Sequence, residues 1–158
     1  MVLVIGYGNL LRSDDGVGQQ VANAVADWQM PHVETLACVQ LTPELSARMA
    51  EADLVIFVDA QRQALGDEVG VHTLWPTPEL STRSALSHHI GPGGLLMQTQ
   101  QLFKKHPQAV LISVPGVNFE LGEALSPTAE RGMRKALQEI RRLVQEIESQ
   151  GRMTTRNP

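Results

Sequence analysis

Apolar and polar residues alternate along this chain in the two rhythms expected of strands and helices. Short apolar runs predict five β-strands, at residues 2–6, 33–39, 53–59, 67–74 and 109–115. The runs at 2–6, 53–59 and 109–115 are apolar on both faces, which is typical of strands covered by helices on each side. The run at 67–74 alternates instead, as an edge strand does.

Between these strands, apolar residues recur at helical spacing. They predict three helices, within residues 16–28, 42–50 and 94–104. A fourth and longer helix follows Ser126, which is placed to serve as its N-cap, with Pro127 in the first turn. We expect Gly151 to end this helix.

The alternation of strands and helices predicts one α/β domain with a mainly parallel sheet. The length agrees, since 158 residues are about one domain. We assign residues 1–151 to this domain and residues 152–158 to a loose C-terminal tail. In such sheets ligands bind in the crevice beyond the carboxyl ends of the strands, so the loops there are the ones to examine for chemistry.

Composition and charge narrow the class of protein. Hydrophobic residues make up 42% of the chain and the formal net charge is −4, as in an ordinary globular protein. The basic residues form no stripe, so we expect no binding to nucleic acid. Cys38, the single cysteine, lies in an apolar run and is expected to pack as a small hydrophobic residue. Because the chain shows neither a basic signal leader nor an apolar stretch of roughly 20 residues, we expect a cytoplasmic protein without a membrane partner.

The first predicted strand runs into the segment "GYGNLLRSDDGVG". Gly6 and Gly8 match the start of a dinucleotide-binding fingerprint, but Leu11 stands at its third glycine position. Asp14 and Asp15 lie where a helix N-terminus would receive a pyrophosphate, which two carboxylates would repel. A nucleotide-binding domain is therefore disfavoured.

Acidic and imidazole side chains occur in several of the loops that follow the predicted strands. One of Asp14 and Asp15 is expected to cap the first helix, which leaves the other free to face the crevice. Asp59 directly follows the apolar run "LVIFV", and His88 and His89 lie in the Ser/Gly/Pro-rich loop "SALSHHIGPGG". Two carboxylates and an imidazole from three loops can hold a divalent transition metal and leave positions open for another partner. Each residue also has a structural alternative, as a cap, a turn residue or a solvated loop residue.

These motifs resemble those of the endopeptidases that mature the large subunit of nickel–iron hydrogenases. The resemblance is carried by "GYGNLLRSDDGVG", "VIFVDA" (55–60), "SHHIG" (87–91) and "SVPGVNFELGEALSP" (113–127). It extends from the first residue to at least residue 127. The last segment is most similar to the subgroup that serves bidirectional, NAD(P)-linked hydrogenases.

The resemblance implies a three-layer α/β/α sandwich around a five-stranded, mostly parallel sheet, and a monomer. It also implies an enzyme that removes a C-terminal extension from the large-subunit precursor after nickel has been inserted. Asp15, Asp59 and His88 match the residues thought to contact the nickel that the precursor carries. The first of these is often Glu in relatives. His88 is assigned rather than His89 because the family motif has a histidine directly after serine and a small residue shortly afterwards.

The chain shows none of the Ser-His-Asp, Cys-His or His-Glu-x-x-His arrangements by which proteases supply their own machinery. An enzyme that borrows the nickel of its substrate fits this pattern. The nickel could dock the scissile bond, polarise its carbonyl or lower the pKa of a bound water. A non-catalytic, metal-dependent chaperone or adaptor for the same precursor would use the same three residues.

Overall fold

The structure, a computed structural model, describes residues 1–62, 68–78 and 90–154, with side chains described as far as Gly151. The strands in this part of the chain are β1 (Val2–Tyr7), β2 (Val33–Cys38), β3 (Leu54–Arg62), β4 (Gly70–Thr73) and β5 (Gln108–Gly116). The helices are α1 (Val17–Asp27), α2 (Leu45–Met49), α3 (Pro92–Phe103) and α4 (Pro127–Thr154). A 3₁₀ turn (Ser13–Gly16) leads directly into α1.

The five strands form one sheet in the order β2-β1-β3-β5-β4. Strands β1, β2, β3 and β5 run parallel, and β4 pairs antiparallel with β5 at one edge. The predicted five-stranded, mostly parallel sheet is therefore confirmed, including its alternating edge strand.

Helices cover both faces of this sheet, which confirms the α/β/α sandwich. Successive residues of β3 supply the two cores: Ile56 packs towards α1 and α4, whereas Phe57 packs towards α2 and α3. Both side chains are fully buried. This double burial is why the central strands are apolar at every position. No helix in the described part of the chain is long and apolar enough to cross a membrane.

Two element boundaries differ from the prediction. Strand β3 continues to Arg62, so Asp59 lies within the sheet, opposite Ser113 of β5, and not directly after a strand. The prediction that Gly151 ends the last helix is wrong, because α4 passes through it to Thr154. Glycine inside a helix costs only about 1 kcal/mol, which the following turn can offset. Residues 152–154 of the predicted tail thus belong to α4, and residues 155–158 lie outside the described residues.

Candidate active site

Close glycine contacts bring the loop after β1 onto the end of the sheet. A β-carbon on Gly18, in the first turn of α1, would lie 2.4 Å from the carbonyl oxygen of Val58 and 2.5 Å from that of Tyr7. Gly8 has a φ of +138°, which side chains rarely adopt, and a β-carbon there would lie 2.0 Å from the carbonyl oxygen of Asp15. The two glycines therefore pack α1 against β1 and β3, and they hold Asp15 beside the carboxyl ends of both strands.

Asp15 lies half-buried in the 3₁₀ turn before α1. Its Oδ2 accepts a hydrogen bond of 2.8 Å from the backbone N–H of Asn9. The Asn9 side chain accepts a further bond of 2.9 Å from the backbone N–H of Leu11, which fixes the loop as an Asx turn. Within the described residues the second carboxylate oxygen of Asp15 makes no hydrogen bond, so it is available to a ligand.

Asp59 lies on β3 beside Tyr7, the last residue of the neighbouring strand β1. Burial raises the pKa of Asp59 to about 6, and the nearby Asp15 carboxylate adds to the rise. The Tyr7 side chain and the backbone of Ala60 stabilise the Asp59 carboxylate and oppose this rise in its pKa. The structure therefore brings Asp15 and Asp59 close enough for their charges to interact.

Asp14 is adjacent to Asp15 but points into the protein and is fully buried. Its carboxylate accepts hydrogen bonds from the backbone N–H groups of Val117 (2.8 Å), Asn118 (3.0 Å) and Ser126 (2.7 Å) and from the Ser126 hydroxyl (2.7 Å). Burial alone would raise the pKa of Asp14, but these bonds together lower it. Asp14 therefore fastens the loop between β5 and α4.

The prediction that one of the two aspartates caps α1 is wrong. No side chain makes a capping hydrogen bond at the start of α1. Asp14 is bonded to the β5–α4 loop, and Asp15 to Asn9. By contrast, the predicted cap of α4 is confirmed, because the Ser126 hydroxyl oxygen accepts a bond of 3.1 Å from the backbone N–H of Ala129.

His88 and His89 lie outside the described residues, so the third predicted ligand stays a prediction. Over the described ranges, no group of three His, Cys, Asp or Glu side chains is arranged to hold a metal ion. Of the three residues predicted to contact nickel, the described part of the chain contains Asp15 and Asp59, and their role as nickel contacts stays a prediction.

Tyr7 is a site residue that the sequence reasoning missed. Its place follows from the parallel pairing of β1 with β3, in which Gly6 lies opposite Val58 and the next residues are Tyr7 and Asp59. The only signal in the sequence is a polar aromatic residue at the end of the first apolar run. The strand register that makes this signal meaningful cannot be read from the sequence alone.

Ser113 and His72 approach each other near Asp59 without forming a serine nucleophile. Ser113 lies opposite Asp59 in the β3–β5 ladder, and its Oγ is 3.5 Å from Nε2 of His72. This distance exceeds the roughly 2.6–3.2 Å of an activated serine–histidine pair. The serine is also buried, with 6% of its surface exposed, so it offers no accessible hydroxyl.

Comparison with known proteins bears on the fold. No protein-family model matches the sequence, and no curated protein matches it either. Among solved structures, the hydrogenase maturating endopeptidase HybD from E. coli is similar, with a TM-score of 0.73, 23% identity and 92% of each chain covered.

Two structures from Thermococcus kodakarensis are similar as well. The [NiFe] hydrogenase maturation protease HybD has a TM-score of 0.70 and 20% identity, over 90% of this chain and 97% of that one. The maturation protease HycI has a TM-score of 0.70 and 24% identity, over 88% of each chain. At these identities the comparisons show that the chain has the α/β fold of hydrogenase maturation proteases.

Proposed function

We propose that this protein is an endopeptidase that removes the C-terminal extension of a nickel-loaded [NiFe]-hydrogenase large-subunit precursor. The observation that carries the proposal is the pair of carboxylates, Asp15 and Asp59, whose charges interact at the carboxyl ends of the parallel strands. Open α/β sheets bind their ligands at this end of the strands. The names of the similar structures support the reaction class, and the carboxylate pair supports recognition of a metal.

The carboxylate pair suits a cation that arrives with the substrate. Asp59 is partly desolvated, and Asp15 adds a second negative charge beside it, so ionising both carboxylates is unfavourable in the empty site. A divalent ion between them would reverse this effect and lower the pKa of Asp59. A precursor without nickel brings no such charge. The pair therefore selects the loaded precursor.

In this proposal Asp15, Asp59 and His88 contact the nickel at coordination positions that the precursor leaves open. The nickel then anchors the precursor so that the scissile peptide lies beside the carboxyl ends of the strands. There the nickel can polarise the scissile carbonyl or activate a water molecule. The Tyr7 side chain stabilises the charged form of Asp59. Asp14 supports the site from behind by fastening the β5–α4 loop.

The competing proposal is a metal-dependent chaperone or adaptor that binds the same precursor without cutting it. It would use the same three side chains, so binding alone does not separate the two. The shared fold with named maturation proteases favours the peptidase. Two finer parts of the proposal, the monomeric state and the subgroup that serves bidirectional hydrogenases, rest on the sequence resemblance alone. The proposed cytoplasmic location rests on the apolar pattern of the sequence.

The test of the peptidase is the intact mass of nickel-loaded precursor after incubation with this protein. We expect wild type to remove a C-terminal peptide. Asp15→Asn and Asp59→Asn should slow its release at least about 100-fold, since loss of even a residue that supports a metal ligand costs roughly 10–100-fold. Asp27→Asn, an exposed carboxylate at the end of α1, is the matched control and should cleave like wild type. Binding of an uncut precursor by wild type would favour the adaptor.

The same assay assigns the imidazole. His88→Ala should lose most of the cleavage rate, and His89→Ala should keep most of it, because only one imidazole is expected to face the nickel. The reverse order would move the ligand to His89. Equal and full activity of both variants would remove this loop from the proposed site.

A further inference from the structure

Two loops beside the carboxylate pair are joined into one platform, which consists of residues 9–15 and 117–126. The backbone N–H of Gly122 donates to the carbonyl of Leu11 (2.9 Å), and the N–H of Ser13 donates to the carbonyl of Gly122 (2.8 Å). The Ser13 hydroxyl donates to the carbonyl of Glu120 (2.8 Å). With the Asp14 bonds described above, these contacts hold both loops in a fixed arrangement.

Ser13 shows that the platform is held under constraint. Its φ is +53°, in the left-handed region that residues other than glycine seldom adopt. Its side chain is nonetheless almost fully buried, with 3% exposed, and both its N–H and its hydroxyl are bonded to the opposite loop. Backbone strain of this kind persists where the surrounding contacts over-determine it, and it is concentrated at functional sites.

The platform exposes four large apolar side chains: Leu10, Leu11, Val117 and Leu121. The three most exposed, Leu11, Val117 and Leu121, are called the apolar rim. Their exposed fractions are 57%, 57% and 80%. The backbone of Gly122, the residue after Leu121, is paired with that of Leu11 and Arg12. Val117 donates its backbone N–H to Asp14 in the opposite loop. Single exposed apolar residues are common, but several on one rigid surface mark a contact site for another macromolecule.

We infer that the apolar rim is the surface on which the precursor polypeptide docks around its nickel, an inference that rests on the proposed function. Asp15 belongs to the same loop as Leu11, so part of the rim and one of the two carboxylates share a loop. A partner that covers both must bring a positive centre to the carboxylates and an apolar surface to the rim. A metal-bearing polypeptide has both properties.

Charge argues against a second copy of this chain as the occupant. A two-fold contact through the rim would bring Asp15 and Asp59 of one copy near the same carboxylates of the other. Self-association through this face would therefore add like-charge repulsion where the precursor adds attraction.

The test is the kinetics of cleavage of nickel-loaded precursor by Leu11→Ser/Leu121→Ser. We expect KM and the Kd for the precursor to rise about tenfold or more, since burying such side chains is a main source of affinity. The kcat should stay within about twofold, because the carboxylates are untouched. Leu102→Ser is the matched control: Leu102 is 64% exposed and belongs to α3, which is not part of the platform. Thermal unfolding of all variants should match wild type because the side chains are exposed.

The outcomes separate this inference from the proposed function. If wild type cleaves the precursor and the double variant keeps its KM and Kd, the docking inference is wrong and the peptidase stands. If wild type binds without cleaving, the peptidase fails, and the Kd of the double variant still decides the docking inference. Absence of both binding and cleavage by wild type removes both proposals. If wild type and the control variant form concentration-dependent dimers, the double variant does not, and the precursor affinity is the same for all three, the rim is a contact between two copies of this chain.

Discussion

Two adjacent aspartates have opposite roles at the scale of single residues. Asp14 points into the protein and joins two loops, and Asp15 keeps a carboxylate oxygen available at the end of the sheet. The sequence could not separate them, because both fit a helix start and the partners of Asp14 lie more than 100 residues away along the chain. A capping pattern takes account only of residues that are close in the sequence. It therefore predicted a cap of α1 and could not indicate that Asp14 bonds to the β5–α4 loop.

The contrast between the two aspartates predicts different effects on stability. Asp14→Asn should lower the free energy of unfolding by about 2 kcal/mol, because an amide cannot accept all the bonds that the buried carboxylate accepts. Asp15→Asn should change it by about 0.5 kcal/mol or less, since a surface residue with one accepted bond contributes little. Urea denaturation of both variants measures the difference. Equal effects would contradict the assigned roles.

The charged Asp59 carboxylate should lower the free energy of unfolding by an amount that depends on pH. Its pKa rises from the ordinary 3.8 to about 6 in the folded protein, mainly through burial. The neutral form is therefore favoured on folding, so the stability that Asp59 contributes is fully present below pH 3.8 and is lost as the pH rises through about 6.

Asp59→Asn should accordingly gain stability at neutral pH while it loses processing. We expect a gain of about 1–2 kcal/mol at pH 7.5 relative to pH 4, after allowance for partial exposure of the carboxylate. Urea denaturation of wild type and variant at both pH values gives this difference. A gain in stability that is the same at both pH values would show that the pKa of Asp59 is not raised in the folded protein.

At the scale of elements, much of the fold could be predicted from the sequence. The central strands are apolar on both faces because each supplies two cores, and this pattern is visible without a structure. The end of α4 could not be predicted from the sequence. A glycine ends a helix only where the residues after it are more stable in a non-helical conformation than in the helix. Tyr7 was missed because strand register is a property of the assembled sheet.

Helix α4 contains two glycines in different surroundings. A β-carbon on Gly151 would meet nothing within 4 Å, whereas one on Gly132 would lie 2.7 Å from a methyl of the buried Val114. Gly151→Ala should therefore raise the free energy of unfolding by up to about 1 kcal/mol through helix propensity. Gly132→Ala should lower it, because the core cannot move aside. A stabilising Gly132→Ala would show that α4 packs less closely on the sheet than described.

At the scale of the whole molecule, the two ends of the sheet differ in chemistry. The carboxyl ends of the strands bear the carboxylate pair, the platform and the apolar rim. The opposite end bears an apolar cavity of about 490 Å³, whose lining includes Leu54 at the start of β3 and Ala109 near the start of β5. The described lining of that cavity includes neither Asp15 nor Asp59. The sequence indicated which loops to examine but left open whether Asp15 and Asp59 lie close together; the effect of Asp15 on the pKa of Asp59 indicates that they do.

The proposed function requires that this protein recognises the nickel bound to its substrate. The most direct test mixes equal amounts of nickel-loaded and nickel-free large-subunit precursor, distinguished by isotope labelling, and follows both intact masses during incubation with wild type. The account predicts that only the loaded precursor loses its C-terminal peptide, and that Asp59→Asn leaves both intact. Loss of the peptide from both forms at the same rate would contradict recognition through the carboxylate pair.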